Sequence, residues 1–386
     1  MNGNDAVATR LAGRELPAAA RFILESARKS AGNDRLNLYA MRYGTIPRGL
    51  KENLAVLLGV VPYPMLDVLV APLQARALIA AERTDVFKTL GEGPAIAADV
   101  ARRLNLDQSC LELVLRLLAS MGYVKLRGGV WSLTRLGLKH FGPAAPGSFR
   151  NFVAFGAPQW DWIGRLDDVL KTGRGVEIHQ SLQGADWGLY QRAMAEGARD
   201  FAEFVAKELP VRKGARLCLD VAGSHGLVGA SVCRAHPGLK SVVLERPQAI
   251  PEARRLAEQA GVADVVSFRE ADLLADEYGE GADVVILANI LHHFSPEVNL
   301  QILGRARRAL VPGGSIGIFD IEAPAVDSPP EAAGDAAALF FRITSNSACF
   351  SGADHIDWLT RAGFSGARVV RSALLPSRLL VVAAAP

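Results

Sequence analysis

Cysteine is scarce in this 386-residue chain, and what there is lies scattered. Cys110, Cys218, Cys233 and Cys349 form no CxxC pair and no His/Cys cluster. That spacing offers neither a disulfide framework nor a zinc ligand set, and leads us to expect a reducing, cytoplasmic setting with no metal. A large excess of one charge is also missing: 43 Lys and Arg face 40 Asp and Glu, a net +3. The near-balance hides an asymmetry, because residues 1–150 carry 20 basic against 12 acidic side chains. A nucleic-acid partner for the front of the chain is therefore worth weighing. No uninterrupted apolar run is present. The most apolar window, Asn53–Ala81, is broken by Pro62, Pro64, Asp67 and Pro72, so it predicts buried helices rather than a bilayer crossing. The first residues carry early charges and no apolar core, so we expect no secretory signal and no membrane partner. Repeats and low-complexity tracts are absent too.

With half its residues apolar and 22% charged, the chain has the composition of a globular protein. Its length suits two or three domains. Residues 1–50 read as a polar extension. From 51 to 145 the apolar spacing is helical, then gives helix, turn, helix and two short strands around Gly128-Gly129. That is the layout of a winged helix–turn–helix, with Lys125 and Arg127 near the wing. The second helix argues against DNA. Its face is Leu111, Leu113, Val114, Leu115, Leu117, Leu118 and Met121, with Arg116 its one cation, which suits burial in a partner better than contact with phosphates. Residues 146–210 read as a helical connector rich in aromatics. Most of these belong in a core, but Trp187, Tyr190 and Met194 recur at helical spacing and are candidates to wall an apolar pocket.

From 211 to 386 strands and helices alternate, predicting an α/β domain with a parallel sheet and a closing hairpin at its edge. The stretch ARLCLDVAGSHG, Ala215 to Gly226, organises it: a strand ending in Asp220, a turn holding Gly223 and Gly226, then a helix. Such a turn lets backbone approach a ligand and presents the N–H groups of a helix start. Glu245 ends the second strand, 22 residues after Gly223, where a carboxylate can accept from both hydroxyls of a ribose. Asp272 and Leu273 end the third, placed to meet an adenine amino group and to pack on its ring. The fourth ends in ANILHHFS, with Asn289 counted toward the same ligand and His292 and His293 at the sheet's carboxyl edge. Alone, Glu245 reads equally as a solvated strand end, Asp272 as a helix cap, and either histidine as structural. In this order and spacing they point to an adenosine-containing ligand.

On those residues the chain resembles the small-molecule O-methyltransferases, the family of plant caffeate, flavonoid and acetylserotonin enzymes and of many bacterial secondary-metabolite enzymes. The resemblance spans roughly residues 65–385. It implies a Rossmann-like class I methyltransferase domain with a mixed seven-stranded sheet, preceded by a mainly α winged-helix domain that forms a homodimer. It also implies S-adenosylmethionine as cofactor, His292 as general base, Phe294 at the family's aromatic position, and Asp320 as the carboxylate supporting the base. The sequence departs from the family at four places, one of them Asp320 itself, one methylene shorter than the family's carboxylate. Its glycine turn keeps only Gly223 and Gly226, the lysine usual four residues before the base is Ala288, and NSACFS at 346–351 puts Cys349 near the second supporting glutamate.

Because a sulfonium methyl is already activated, transfer needs alignment and the removal of one proton, not a metal. Histidine, with an ordinary pKa of about 6.5, suits removal from a phenol, and Asp320 would hold its tautomer. Trp187, Tyr190, Met194, His293, Phe340 and Phe341 suggest an aromatic or polycyclic hydroxylated acceptor. Two other readings stand beside this one. The same scaffold can methylate carbon or nitrogen, or run a non-methylating reaction; alternatively, a winged-helix regulator can sense S-adenosylmethionine.

Overall fold

The structure is a computed structural model. It describes residues 49–386 apart from 144, 146, 183 and 326–329. The expected extension at 1–50 therefore falls almost wholly outside the described residues.

The front of the chain is helical. Helices α1 (Leu50–Leu57) and α2 (Tyr63–Arg83) are followed by α3 (Val86–Glu92), α4 (Ala97–Leu104) and α5 (Gln108–Ser120). Next come the strands β1 (Val124–Arg127) and β2 (Val130–Leu133) and helix α6 (Arg135–Phe141). Asp107 starts α5 by accepting from the Cys110 N–H at 2.7 Å. Gly128 and Gly129 both have positive φ, 56° and 81°, as a two-residue hairpin turn twisted to match its strands requires. The winged-helix layout is present.

Two expectations about apolar faces change. The leucine-rich face of α5 was expected to await a partner, but Leu111, Leu115 and Leu118 recur at one side and are buried in the chain's own core with Phe87, Trp131 and Phe141. Only Leu113, 69% exposed, points clearly away. Conversely, Asn53–Ala81 was expected to be buried, and only its end is, at Ala77, Ile79 and Ala81. Val68 is 78% exposed, with Leu57, Leu58, Met65 and Leu69 also outward. Apolar composition reveals that a face avoids water but not which surface covers it. Pro62 does break the chain between α1 and α2. Pro72, however, is absorbed into α2, because a π-turn at Leu66–Val70 shifts the hydrogen bonding just before the residue that lacks an N–H. By length and composition α2 is the one described helix that could cross a membrane.

Helices α7 (Arg150–Ile163), α8 (Leu166–Thr172), α9 (Ile178–Ser181) and α10 (Ala185–Glu208) connect the front to the sheet. The 24-residue α10 serves both ends. Trp187, Tyr190 and Met194 join the aromatic cluster of the connector, while Ala202, Val205 and the following Leu209 pack under the sheet. Phe201 stacks on Phe319 at 4.4 Å.

Strands β3 (Leu217–Val221), β4 (Lys240–Glu245), β5 (Val266–Glu270), β6 (Ala282–Ala288), β7 (Leu310–Ile321), β8 (Ser365–Val370) and β9 (Arg378–Ala384) form one mixed sheet ordered β5-β4-β3-β6-β7-β9-β8. The first five run parallel, while β9 is antiparallel to both β7 and β8. The expected closing hairpin is there, with its second strand inserted next to β7. Strands β3 and β6 are buried almost throughout, which is why they read as continuous apolar runs rather than alternating ones. Strand order reverses at β3, between β4 and β6, and there the carboxyl ends of the strands open a crevice.

Candidate active site

One wall of the crevice is the turn after β3. Asp220, fully buried, accepts from the Gly229 N–H at 3.0 Å and so ties the turn to the next helix. A Cβ at Gly223 would lie 2.3 Å from the Asp220 Cγ, so only glycine fits there. Ala222 and Ser224, where the family tends to have glycine, nevertheless take left-handed φ values of 54° and 53°. That strain is held by contacts. The Ala222 N–H donates to the Leu244 carbonyl at 2.8 Å, the Ser224 N–H to Glu245 Oε2 at 3.0 Å, and the Ser224 hydroxyl to Gln191 on α10. Glu245 also accepts from the Arg246 N–H at 2.8 Å, which orients its carboxylate.

Burial pushes the Asp220 carboxyl up to about 7 against the Gly229 bond, and the Glu245 charge adds to the rise. Burial raises Glu245 as well, opposed by the two N–H donors. Asp220 Oδ1 has no hydrogen-bond partner. A close-approach turn, an oriented carboxylate and the apolar Ala271 and Leu273 fit the polar ribose and flat base of an adenosine.

His225, in the same turn, is buried and pushed down to about 4 by burial, while accepting from the Leu227 N–H at 3.1 Å. An unfolded histidine protonates near 6.5, whereas this one stays neutral until about 4. Its contribution to stability is thus complete above 6.5 and lost as pH falls toward 4, at about 1.4 kcal/mol per pH unit. Urea unfolding of His225→Gln should show a pH dependence shallower than the wild type by up to about one proton between pH 4.5 and 6.5. An unchanged slope would remove His225 as a cause.

The opposite wall follows β6. Asn289, at φ 54°, turns the chain into a short 3₁₀ segment, Leu291–His293. His292 is 1% exposed, with its Nδ1 2.5 Å from Asp320 Oδ1 and its backbone N–H 3.3 Å from Oδ2. Its ring lies 3.9 Å from that of Phe341. Burial alone would raise the Asp320 carboxyl, but His292, His355 and the Ile321 N–H together hold it below the usual carboxylate range.

His293 faces the cavity. Its Nε2 is 3.1 Å from His292 Nε2 and its Nδ1 2.7 Å from the Ser345 hydroxyl. Burial, with the charges of His292 and His179, pushes it well below the ordinary histidine value. His179 packs edge-on against His293 at 4.6 Å, hydrogen-bonds the Tyr190 hydroxyl at 3.1 Å, and is pushed down to about 4 chiefly by burial.

Glu245, Leu273, Trp187, Tyr190 and His293 thus meet on one cavity. Asp220, Gly223 and Gly226 shape the turn behind it, His292 and Asp320 lie behind His293, and Asn289 turns the strand end. Asp272 is not brought in; its carboxylate accepts from the Leu274 N–H at 2.8 Å and it is exposed. Met194 and Phe340 pack in the aromatic cluster rather than on the cavity, and Phe341 backs His292. Cys349 is buried, its thiol pushed up to about 12 chiefly by burial, so a neutral group stands near the expected second carboxylate. Sequence reasoning missed His179, Gln191 and Ser345. Gln191, one turn after Trp187 on α10, was reachable by helical spacing; the other two carry no local signal.

A crevice at the reversal point of a Rossmann-like sheet, a ribose-type carboxylate on one wall and a carboxylate-paired histidine on the other define a class I methyltransferase. A family model for the O-methyltransferase domain matches residues 181–365. The 3-amino-4-hydroxybenzoate 4-O-methyltransferase of Streptomyces cremeus is 31% identical over 255 residues, 63% of this chain and 68% of that protein. The 3-hydroxy-5-methyl-1-naphthoate 3-O-methyltransferase of Streptomyces sahachiroi is 27% identical over 314 residues, 78% and 88% of the two chains. The solved mitomycin 7-O-methyltransferase is 25% identical, with a TM-score of 0.73 over 87% of this chain and all of that one. This chain belongs to the O-methyltransferase family and is an S-adenosylmethionine-dependent O-methyltransferase.

Proposed function

We propose that the enzyme methylates a hydroxyl of an aromatic or polycyclic small molecule, with His292 as the general base and Asp320 as its orienting partner. The observation that carries this reading is the buried 2.5 Å contact between His292 Nδ1 and Asp320 Oδ1 at the carboxyl edge of the sheet. The relatives named for hydroxynaphthoate and hydroxybenzoate support an aromatic acceptor, as do Trp187 and Tyr190 on the cavity. S-adenosylmethionine supplies an electrophilic methyl group on a sulfonium. Glu245 and the Gly223 turn hold the nucleoside end, and Leu273 packs on its base. Asp320 fixes the His292 tautomer and stabilises the imidazolium, as a carboxylate does for a histidine base in other enzymes. The reaction so described needs no metal.

We further propose that residues 51–145 form a homodimerisation domain using the exposed faces of α1 and α2, that 146–210 is the connector walling the acceptor, and that 211–386 is the catalytic domain. The setting is cytoplasmic. The test is transfer of labelled methyl to a pool of phenols and hydroxyarenes. Label on oxygen of an extractable product is expected, and label on carbon or nitrogen would overturn the hydroxyl acceptor.

A further inference from the structure

We infer that His293 and Ser345 are catalytic residues that connect the acceptor hydroxyl to His292 through a directed hydrogen-bond relay. The inference rests on the proposed role of His292. His292 itself does not line the cavity, whereas His293 and Ser345 do. Its Nδ1 is taken by Asp320 and its Nε2 by His293, so an acceptor in the cavity has no free nitrogen of His292 to reach.

With His292 neutral before transfer, the contacts fix every proton in the chain. Asp320 is ionised and only accepts, so His292 carries its proton on Nδ1 and presents a bare Nε2. His293 Nε2, 3.1 Å away, must therefore be the protonated nitrogen of that contact. Its Nδ1 is then bare and accepts from the Ser345 hydroxyl at 2.7 Å. Ser345 keeps lone pairs free toward the cavity, where the acceptor O–H can donate. All four groups agree on one direction.

The transfer balances. The acceptor proton moves to Ser345 Oγ, the Ser345 proton to His293 Nδ1, and the His293 Nε2 proton to His292 Nε2. The acceptor oxygen forms its bond to carbon as the carbon–sulfur bond breaks with its electron pair to sulfur. The positive charge lost at sulfur reappears on His292, beside Asp320. Charge does not rest on His293, which is buried between two other imidazoles. Return of the protons along the same path to water in the emptied cavity resets the relay.

The first test needs no acceptor. Nitrogen NMR of the full chain with labelled histidine, in the presence of S-adenosylhomocysteine, should find His293 protonated at Nε2 and bare at Nδ1, and His292 the reverse. The opposite tautomer at His293, or an imidazolium there at neutral pH, overturns the relay. The second test is single-turnover methyl transfer to a series of ring-substituted naphthols. Ser345→Ala should slow transfer about 10²-fold with S-adenosylhomocysteine affinity unchanged. The loss should shrink as the naphthol becomes more acidic, since an acceptor that arrives as an anion needs no relay, and Ser345→Thr should restore the rate. A Ser345→Ala enzyme at wild-type speed while His292→Ala is inactive overturns the relay and spares the base. Wild-type speed in His292→Ala overturns the base itself.

Discussion

Replacing His292 by alanine is expected to lower turnover about 10³- to 10⁴-fold while leaving the dissociation constant of S-adenosylhomocysteine within about twofold. The asymmetry follows from the geometry. The His292 ring touches Asp320, His293 and Phe341, none of which belongs to the nucleoside wall, and it does not border the cavity. The substitution has a structural cost that has to be separated from the chemical one. It leaves the Asp320 carboxylate buried without its imidazole, and removing one partner of a buried pair costs about 3–5 kcal/mol. His292→Gln provides the control, because its amide can still donate to Asp320 but cannot accept and hold a proton. Both variants should be inactive in labelled-methyl transfer, and His292→Gln should recover much of the lost stability. Calorimetric titration with S-adenosylhomocysteine decides the rest: equal loss of cofactor affinity and turnover would sink the general-base role.

Most of the proposed cofactor wall was legible because its constraints are local and fall in sequence order. Gly223 is required by the approach of its own neighbour Asp220, and Glu245 ends the strand beside β3, so a strand–turn–helix reading places both. The strands were legible for a related reason: burial on both faces of β3 and β6 turns sheet position into an apolar run. Ala222 and Ser224 show where the pattern misleads. With alanine and serine where glycines often stand, the motif is weak as a signal, yet both residues adopt the left-handed conformation a glycine would, held by Leu244, Glu245 and Gln191.

The proposed acceptor wall was less legible because it is assembled from distant segments. His179 lies on α9, His293 follows β6 and Ser345 follows the helix Ala332–Thr344, so no spacing in the chain announces their contact. Hydrophobic pattern also cannot separate an apolar face that fills its own core from one that is left open. The α5 face and the α1–α2 face were therefore assigned the wrong way round. What distinguishes them is the set of elements that pack over Leu115 and not over Val68.

Glu245→Leu is expected to weaken S-adenosylhomocysteine binding about 10²-fold, with little change in turnover once cofactor is saturating. The carboxylate is held by the Ser224 and Arg246 N–H groups, which leaves lone pairs on both oxygens for the two ribose hydroxyls. Hydrogen bonds to a charged group contribute about 1.5–3 kcal/mol each, so losing two of them, partly offset by the desolvation a leucine avoids, gives a change of that size. Glu245→Gln separates the carboxylate from the shape of the turn, since its remaining oxygen can keep one N–H donor. The pH dependence gives an independent check. Because burial raises the Glu245 carboxyl, its accepting form is complete only at higher pH than for an ordinary glutamate, and affinity should fall as pH drops through that raised value. Glu245→Gln should bind weakly and lose this acid limb. A variant that keeps full affinity, or one that loses turnover at saturating cofactor while binding normally, would move Glu245 from the nucleoside wall to the transfer step.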